Sequence, residues 1–177
     1  MNKLIILDRD GVINQDSLHY IKSVDEFLLL PGSVEAIAKL TAAGYQIAVA
    51  TNQSGVSRGY YDESELAAIH HKLYNCMLAA GGEIAKIEYC THMPDAGCFC
   101  RKPQTGMLLT IANHFNRTLN GVPFVGDRVS DIQAAYAAGA QPIIVLSPMT
   151  DRVGLAAYPE VPVFNSLAQY VDSLLSS

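Results

Sequence analysis

The stretch Leu4-Ile5-Ile6-Leu7-Asp8-Arg9-Asp10-Gly11-Val12-Ile13-Asn14 decides how this chain is read. Four apolar residues make a strand buried on both faces, and they run straight into two carboxylates one residue apart. Gly11 then lets the chain turn. Open α/β sheets bind ligands outside the carboxyl ends of their strands. Asp8 therefore stands where a nucleophile would be presented, with Asp10 beside it as an acid or base. Alone the pattern is weak, because acidic turn residues often follow strands.

The rest of the chain repeats the same design. Apolar runs at 46–50, 84–89, 123–125 and 142–146 read as further strands, most of them buried on both faces. Between them lie helical patterns. Val34, Ile37, Ala38 and Leu40 recur at helical spacing before Gly44. Asp62 and Glu65 predict a capping box ahead of Leu66, Ile69, Leu73 and Met77 on one face. Two more helices are expected over 107–115 and 132–138, and no element is assigned beyond 146. Strands alternating with helices imply βαβ units, a mostly parallel sheet and helices on both faces. No repeat or linker divides the chain, so residues 1–177 read as one α/β domain.

Composition narrows the function. Half of the 177 residues are hydrophobic and 16% are charged, which suits a compact globular chain. The net charge of −5 comes without any block of lysines and arginines, which argues against a nucleic-acid partner. No apolar run approaches the ~20 residues of a membrane span, and the opening residues are too soon charged for a signal peptide. The expectation is a cytoplasmic monomer with no membrane partner.

Three other strand ends carry chemistry. Thr51-Asn52-Gln53-Ser54-Gly55 offers a hydroxyl and amides that grip phosphoryl oxygens without adding negative charge. Gly126-Asp127-Arg128-Val129-Ser130-Asp131 brings two more carboxylates to a strand end. Asp8, Asp10, Asp127 and Asp131 together would be an acidic cluster that needs a cation, and hard oxygen ligands at a phosphate site suit Mg²⁺. Arg101-Lys102-Pro103 supplies positive charge: Lys102 for the nucleophile and a phosphoryl group, Arg101 for a second anion.

The cysteines make a separate pattern. Cys90-x-His92 and Cys98-x-Cys100, five residues apart, offer three thiolates and an imidazole, the ligand set of a closed, structural Zn²⁺ site. Pro94 and Gly97 would turn the loop. Such a site would pin the segment that leads into Arg101 and Lys102. Cys76 is left over and reads as an inert buried thiol.

Taken together, Asp8-x-Asp10-Gly11, Thr51, Lys102, and Gly126-Asp127 with Asp131 resemble, in order, the four motifs of the haloacid dehalogenase superfamily of aspartate-nucleophile phosphatases. The resemblance implies a Rossmann-like parallel sheet and, given the short span between Thr51 and Lys102, no large cap domain. It implies an Asp8 nucleophile and an Asp10 acid–base. Mg²⁺ would be held by Asp8, the backbone carbonyl of Asp10 and Asp127. Thr51 and Lys102 would hold the phosphoryl group, and Asp131 would orient Lys102 or metal-bound water.

More narrowly, the segments around Asp8-Arg9-Asp10-Gly11, Thr51-Asn52-Gln53-Ser54-Gly55-Val56-Ser57-Arg58-Gly59 and Cys98-Phe99-Cys100-Arg101-Lys102-Pro103 resemble the heptose-bisphosphate phosphatase branch. Its members serve the making of lipopolysaccharide or related surface glycans through nucleotide-heptose precursors. Substrate contacts are then implied at Asp16, His19, Asn52, Gln53, Ser54, Arg101 and Arg128. Arg128 stands where that branch often has lysine, as in the related histidinol-phosphate phosphatases, which are the alternative reading. A zinc-stabilised binding module whose acidic sites merely chelate cations is a different class of reading, and the full set Asp8, Asp10, Lys102 and Asp127 argues against it, since a binding module needs no nucleophile.

Overall fold

The computed structural model describes residues 3–177. In chain order the elements are β1 (Lys3–Leu7), α1 (Ser33–Ala42), β2 (Tyr45–Asn52), α2 (Glu63–Ala79), β3 (Lys86–Cys90), α3 (Gly106–His114), β4 (Pro123–Gly126), α4 (Val129–Ala138), β5 (Gln141–Val145), α5 (Arg152–Leu155), β6 (Val163–Phe164) and α6 (Leu167–Ser176). All strand pairings are parallel, in the order β3-β2-β1-β4-β5-β6. The chain winds outward from β1 to β3 and then returns to the other side of β1 with β4. The carboxyl ends of β1 and β4 thus meet at the switch point of the sheet, where α/β folds bind ligands.

Strand alternation sorts the core into two layers. Ile5, Leu7, Ile47, Val49 and Val125 face α1, α2 and α6 through Ile37, Leu40, Ile69, Leu73, Leu167 and Val171. Leu4, Ile6, Ala48, Ala50 and Phe124 face α3 and α4 through Leu108, Ile111, Ala134 and Ala135. A fully buried aliphatic side chain of this size is worth ~1.5–3 kcal/mol, so the central strands hold the site ends of the sheet rigidly.

Several expectations shift. β2 runs on through Thr51 and Asn52, so both site residues belong to the strand itself. β3 is a half-buried edge strand that ends on Cys90. Asp62 accepts a hydrogen bond from Glu65 N at 2.8 Å, the cap half of the expected box. Cys76 is half-buried rather than a core thiol. Beyond residue 146, α5, β6 and α6 close the far edge. The signal for α6 was present: Ser166 Oγ accepts from Gln169 N, ahead of Leu167, Tyr170, Val171 and Leu174 at helical spacing.

Candidate active site

Asp8 leaves β1 at the centre of the sheet and is buried. Its Oδ1 accepts from Arg9 N at 2.8 Å and lies 3.1 Å from Lys102 Nζ. Burial pushes its carboxyl well above the usual range; Lys102 opposes this, while the charges of Asp131 and Asp127 add to it. Among the described residues the ammonium of Lys102 pairs with Oδ1 of this carboxylate.

Lys102 is only 4% exposed, and Ala50 O also accepts from its Nζ at 2.9 Å. Asp131 Oδ1 stands 2.8 Å from the same nitrogen. Burial disfavours the ammonium, but the Asp131 and Asp8 carboxylates outweigh it and lift its pKa above the ordinary lysine value. Asp131 Oδ2 meanwhile accepts from the Asp127 and Arg128 N–H groups, both at 3.1 Å. Asp131 thus touches Lys102 with one carboxylate oxygen and also belongs to the cluster of Asp8 and Asp127. The Lys102–Pro103 peptide is cis.

Asp127, at 0% exposure, comes from the end of β4. Its Oδ2 accepts from Ser147 Oγ at 2.7 Å, and its buried Oδ1 has no hydrogen-bond partner. Burial, and then the Asp131 charge, push it up to about 7. Oxygens of Asp8, Asp127 and Asp131 lie within 4.8 Å of one another, and Lys102 alone does not balance three carboxylates. An orphaned buried carboxylate oxygen in an all-oxygen cluster is the donor set of a hard divalent cation, so the residues fit Mg²⁺. Gly11 makes room for this arrangement: at φ +85°, any Cβ there would collide with the Asp127 carboxylate.

The side chain of Asp10 does not join that cluster, which corrects the expected group of four. It points instead to Asn14 Nδ2 at 2.9 Å, Gln53 Nε2 at 3.2 Å and the guanidinium of Arg9 at 2.7 Å. Gln53 also donates to Thr51 Oγ1 at 2.9 Å, and Tyr61 OH donates to Gln53 Oε1. Sequence reasoning passed over Arg9, Tyr61 and Ser147, because nothing near them in the chain marks them as buried partners of site residues.

Above these groups opens a cleft of about 790 Å³. Asp16, Asn52, Gln53, Ser54, Arg101 and Arg128 line it as expected, and His19 does not: its exposed neighbour Leu18 and Tyr20 do so in its place. The amide of Asn52 is engaged with the backbone of Lys102, and Arg128 Nη2 pairs with Asp16 Oδ2 at 2.9 Å. Burial raises the Asp16 carboxyl, an effect the Asp10 charge enhances and Arg128 partly reverses. Arg58, quoted in the motif but assigned no role, also reaches the cleft.

The Cys/His set assembles at the cleft wall. Donor atoms of Cys90, His92, Cys98 and Cys100 all lie within 4.8 Å of one another, and Cys90 Sγ is 2.6 Å from Cys100 Sγ and 3.8 Å from Cys98 Sγ. Burial pushes the Cys90 thiol up to about 12. Burial opposes ionisation of Cys98 too, but the Arg101 backbone N–H and neighbouring donors bring it down to about 7. Three thiols and an imidazole so close fit Zn²⁺, with no donor position left over for substrate. Arg101 Nη1 donates to His92 O at 3.3 Å, tying the cluster to the cleft.

Comparison with known proteins agrees with this geometry. A family model described as "HAD-hyrolase-like" matches residues 99–170. The D-glycero-beta-D-manno-heptose-1,7-bisphosphate 7-phosphatase of Pseudomonas putida is 50% identical over 98% of this chain and 99% of its own. The alpha-anomer 7-phosphatase of Campylobacter jejuni is 37% identical over 82% of this chain and 83% of its own. A crystal structure of the D,D-heptose 1,7-bisphosphate phosphatase of Bordetella bronchiseptica, complexed with magnesium and phosphate, superposes with a TM-score of 0.93 at 46% identity, over 98% of both chains. With identity this high over nearly the whole length and the same fold, the chain belongs to the D-glycero-D-manno-heptose-1,7-bisphosphate 7-phosphatase family of HAD-like hydrolases.

Proposed function

We propose that this chain hydrolyses the 7-phosphate of D-glycero-β-D-manno-heptose 1,7-bisphosphate, with Asp8 as nucleophile and Asp10 as general acid and base. The observation that carries the division of labour is that these carboxylates, one residue apart, face different surroundings. Asp8 sits among carboxylates and Lys102, whereas Asp10 is held by Arg9, Asn14 and Gln53. One is placed to attack and the other to exchange a proton.

Asp8 attacks phosphorus and forms an aspartyl-phosphate as the bond to the sugar oxygen breaks. Asp10 gives that leaving oxygen its proton, then takes one from the water that hydrolyses the aspartyl-phosphate. Lys102 and the Thr51 hydroxyl hold the transferring oxygens. Asp8, Asp127 and the Asp10 carbonyl would hold Mg²⁺, which when bound neutralises charge on the phosphoryl group and nucleophile. Cys90, His92, Cys98 and Cys100 would hold Zn²⁺, whose contribution is structural. Arg101, Arg128 and Arg58 line the same cleft and offer cations for the second phosphate of a bisphosphate. The β anomer follows the relative at 50% identity over the one at 37%. Free thiols in the Cys/His cluster favour a reducing, cytoplasmic setting, and one copy of the chain supplies every site residue.

A phosphate-release panel tests the reading: β- and α-heptose 1,7-bisphosphate, histidinol phosphate and 3′-phosphorylated DNA. The β-bisphosphate should give the highest kcat/KM. Faster turnover of histidinol phosphate would overturn it.

A further inference from the structure

Arg9, between the two catalytic-site aspartates, is among the largest side chains with no solvent exposure. A charge so deeply buried needs partners, and of its three nitrogens Nη2 has an ion-pair contact but no hydrogen bond. Its Nε and Nη2 both stand 2.7 Å from Asp10 Oδ1, and its Cζ lies over the Phe27 ring at 5.6 Å. The remaining nitrogen, Nη1, lies 3.2 Å from His70 Nε2 on α2. A guanidinium only donates, so His70 Nε2 must accept, and the imidazole is neutral with its hydrogen on Nδ1. Burial, reinforced by the Arg9 charge, lowers His70 to about 3, in keeping with that state.

The consequence lies at Asp10. Its Oδ1 is occupied by Arg9 and by Asn14 Nδ2, while Oδ2 receives only the 3.2 Å bond from Gln53. We propose that Arg9 and His70 are positioning residues for proton transfer: His70 aims the guanidinium, and the guanidinium fixes the Asp10 carboxylate so that Oδ2 faces the leaving oxygen. This inference rests on Asp10 acting as the general acid of the proposed reaction. His70 lines neither the cleft nor the carboxylate cluster; it acts through Arg9.

A poor leaving group needs the acid and a good one does not, which separates positioning from general damage. Purified His70→Leu, of similar volume but without an acceptor, is assayed on the heptose bisphosphate and on para-nitrophenyl phosphate. His70→Gln, which restores an acceptor, and Asp10→Asn are run beside it. A misplaced catalytic group can cost about 100-fold, so kcat of His70→Leu on the sugar phosphate should fall about 10- to 100-fold with KM little changed. The two substrates are compared by kcat/KM, which reports the step in which the leaving group departs and not the later hydrolysis, where Asp10 acts as base on either substrate. On the aryl phosphate kcat/KM should fall less than about threefold, the acid being dispensable there. His70→Gln should recover most of the loss. Equal losses on both substrates, no loss on either, or no rescue by His70→Gln would overturn the inference. Asp10→Asn keeps the outcomes apart. If it discriminates between leaving groups and His70→Leu does not, only the positioning role fails; if it does not discriminate, the general-acid reading fails and the inference with it.

Discussion

Asn52 grips Lys102 from both sides of one residue: its Oδ1 accepts from Lys102 N at 3.0 Å and its Nδ2 donates to Lys102 O at 3.2 Å. This amide locks the end of β2 to the loop that carries the buried ammonium. Asn52→Ala should cost ~1–3 kcal/mol of stability, two hydrogen bonds at ~0.5–1.5 kcal/mol each. It should also lower kcat/KM, because Lys102 loses its seat beside Asp8. Urea unfolding and steady-state kinetics on the heptose bisphosphate check both parts. Unchanged kinetics in a destabilised variant would show that Lys102 is held without it.

Asp8→Asn should lower kcat by about 10³-fold or more, since a carboxamide is no nucleophile. The fold should survive because the substitution is isosteric. Rapid acid quench with labelled substrate should trap phosphate on the wild-type protein and none on the variant. Trapped label on Asp8→Asn would place the nucleophile elsewhere.

The acidic cluster sets a pH dependence. Folding raises the Asp8 and Asp127 carboxyls, Asp127 to about 7, above their ordinary value near 3.8. The folded state thus binds protons more tightly than the unfolded chain. Without divalent cations, this contribution to stability is complete below about pH 4 and is lost as pH climbs towards about 7. Mg²⁺ competes with those protons, so it should stabilise more at pH 8 than at pH 5. At 100 times its dissociation constant the gain is ~2.7 kcal/mol. Melting curves with chelator and with Mg²⁺ at the two pH values test the sign.

Ser147 fixes Asp127 through the 2.7 Å hydrogen bond to Oδ2, while the buried Oδ1 has no hydrogen-bond partner. Ser147→Ala should weaken Mg²⁺ binding about 10- to 100-fold, the usual cost of removing a partner behind a metal ligand. Calorimetric titration of Mg²⁺ measures this without reference to turnover.

Removing zinc should loosen substrate binding before it undoes the fold, because the cluster meets the cleft through Arg101 and His92. Losing one charge-assisted contact predicts a KM about tenfold or more above that of the intact protein. Circular dichroism and KM after chelation give the comparison; full activity at unchanged KM in zinc-free protein would refute the link.

The strand ends were legible because burial writes itself into continuous apolar runs, and each run stopped at chemistry: Asp8, Thr51, Asp127. The Cys/His cluster was legible because its ligands are close in sequence. Arg9 was not, since an arginine between two aspartates looks solvated until α2 brings His70 over it. That His19 is not among the residues lining the cleft was illegible for a related reason. A loop sequence does not say which side chains turn inward, and here Leu18 and Tyr20 do. The terminal elements were missed where β6, at two residues, is too short for a period to register.

Asp131 starts α4 with one carboxylate oxygen and anchors Lys102 with the other. Helix initiation and pocket charge therefore rest on one side chain and do not vary independently. Any attempt to retune the cleft for a less anionic substrate by neutralising this position must first rebuild the opening turn of α4. Engineering of selectivity is better directed at Arg58, Arg101 and Arg128, which line the cleft without capping a strand or helix through their side chains.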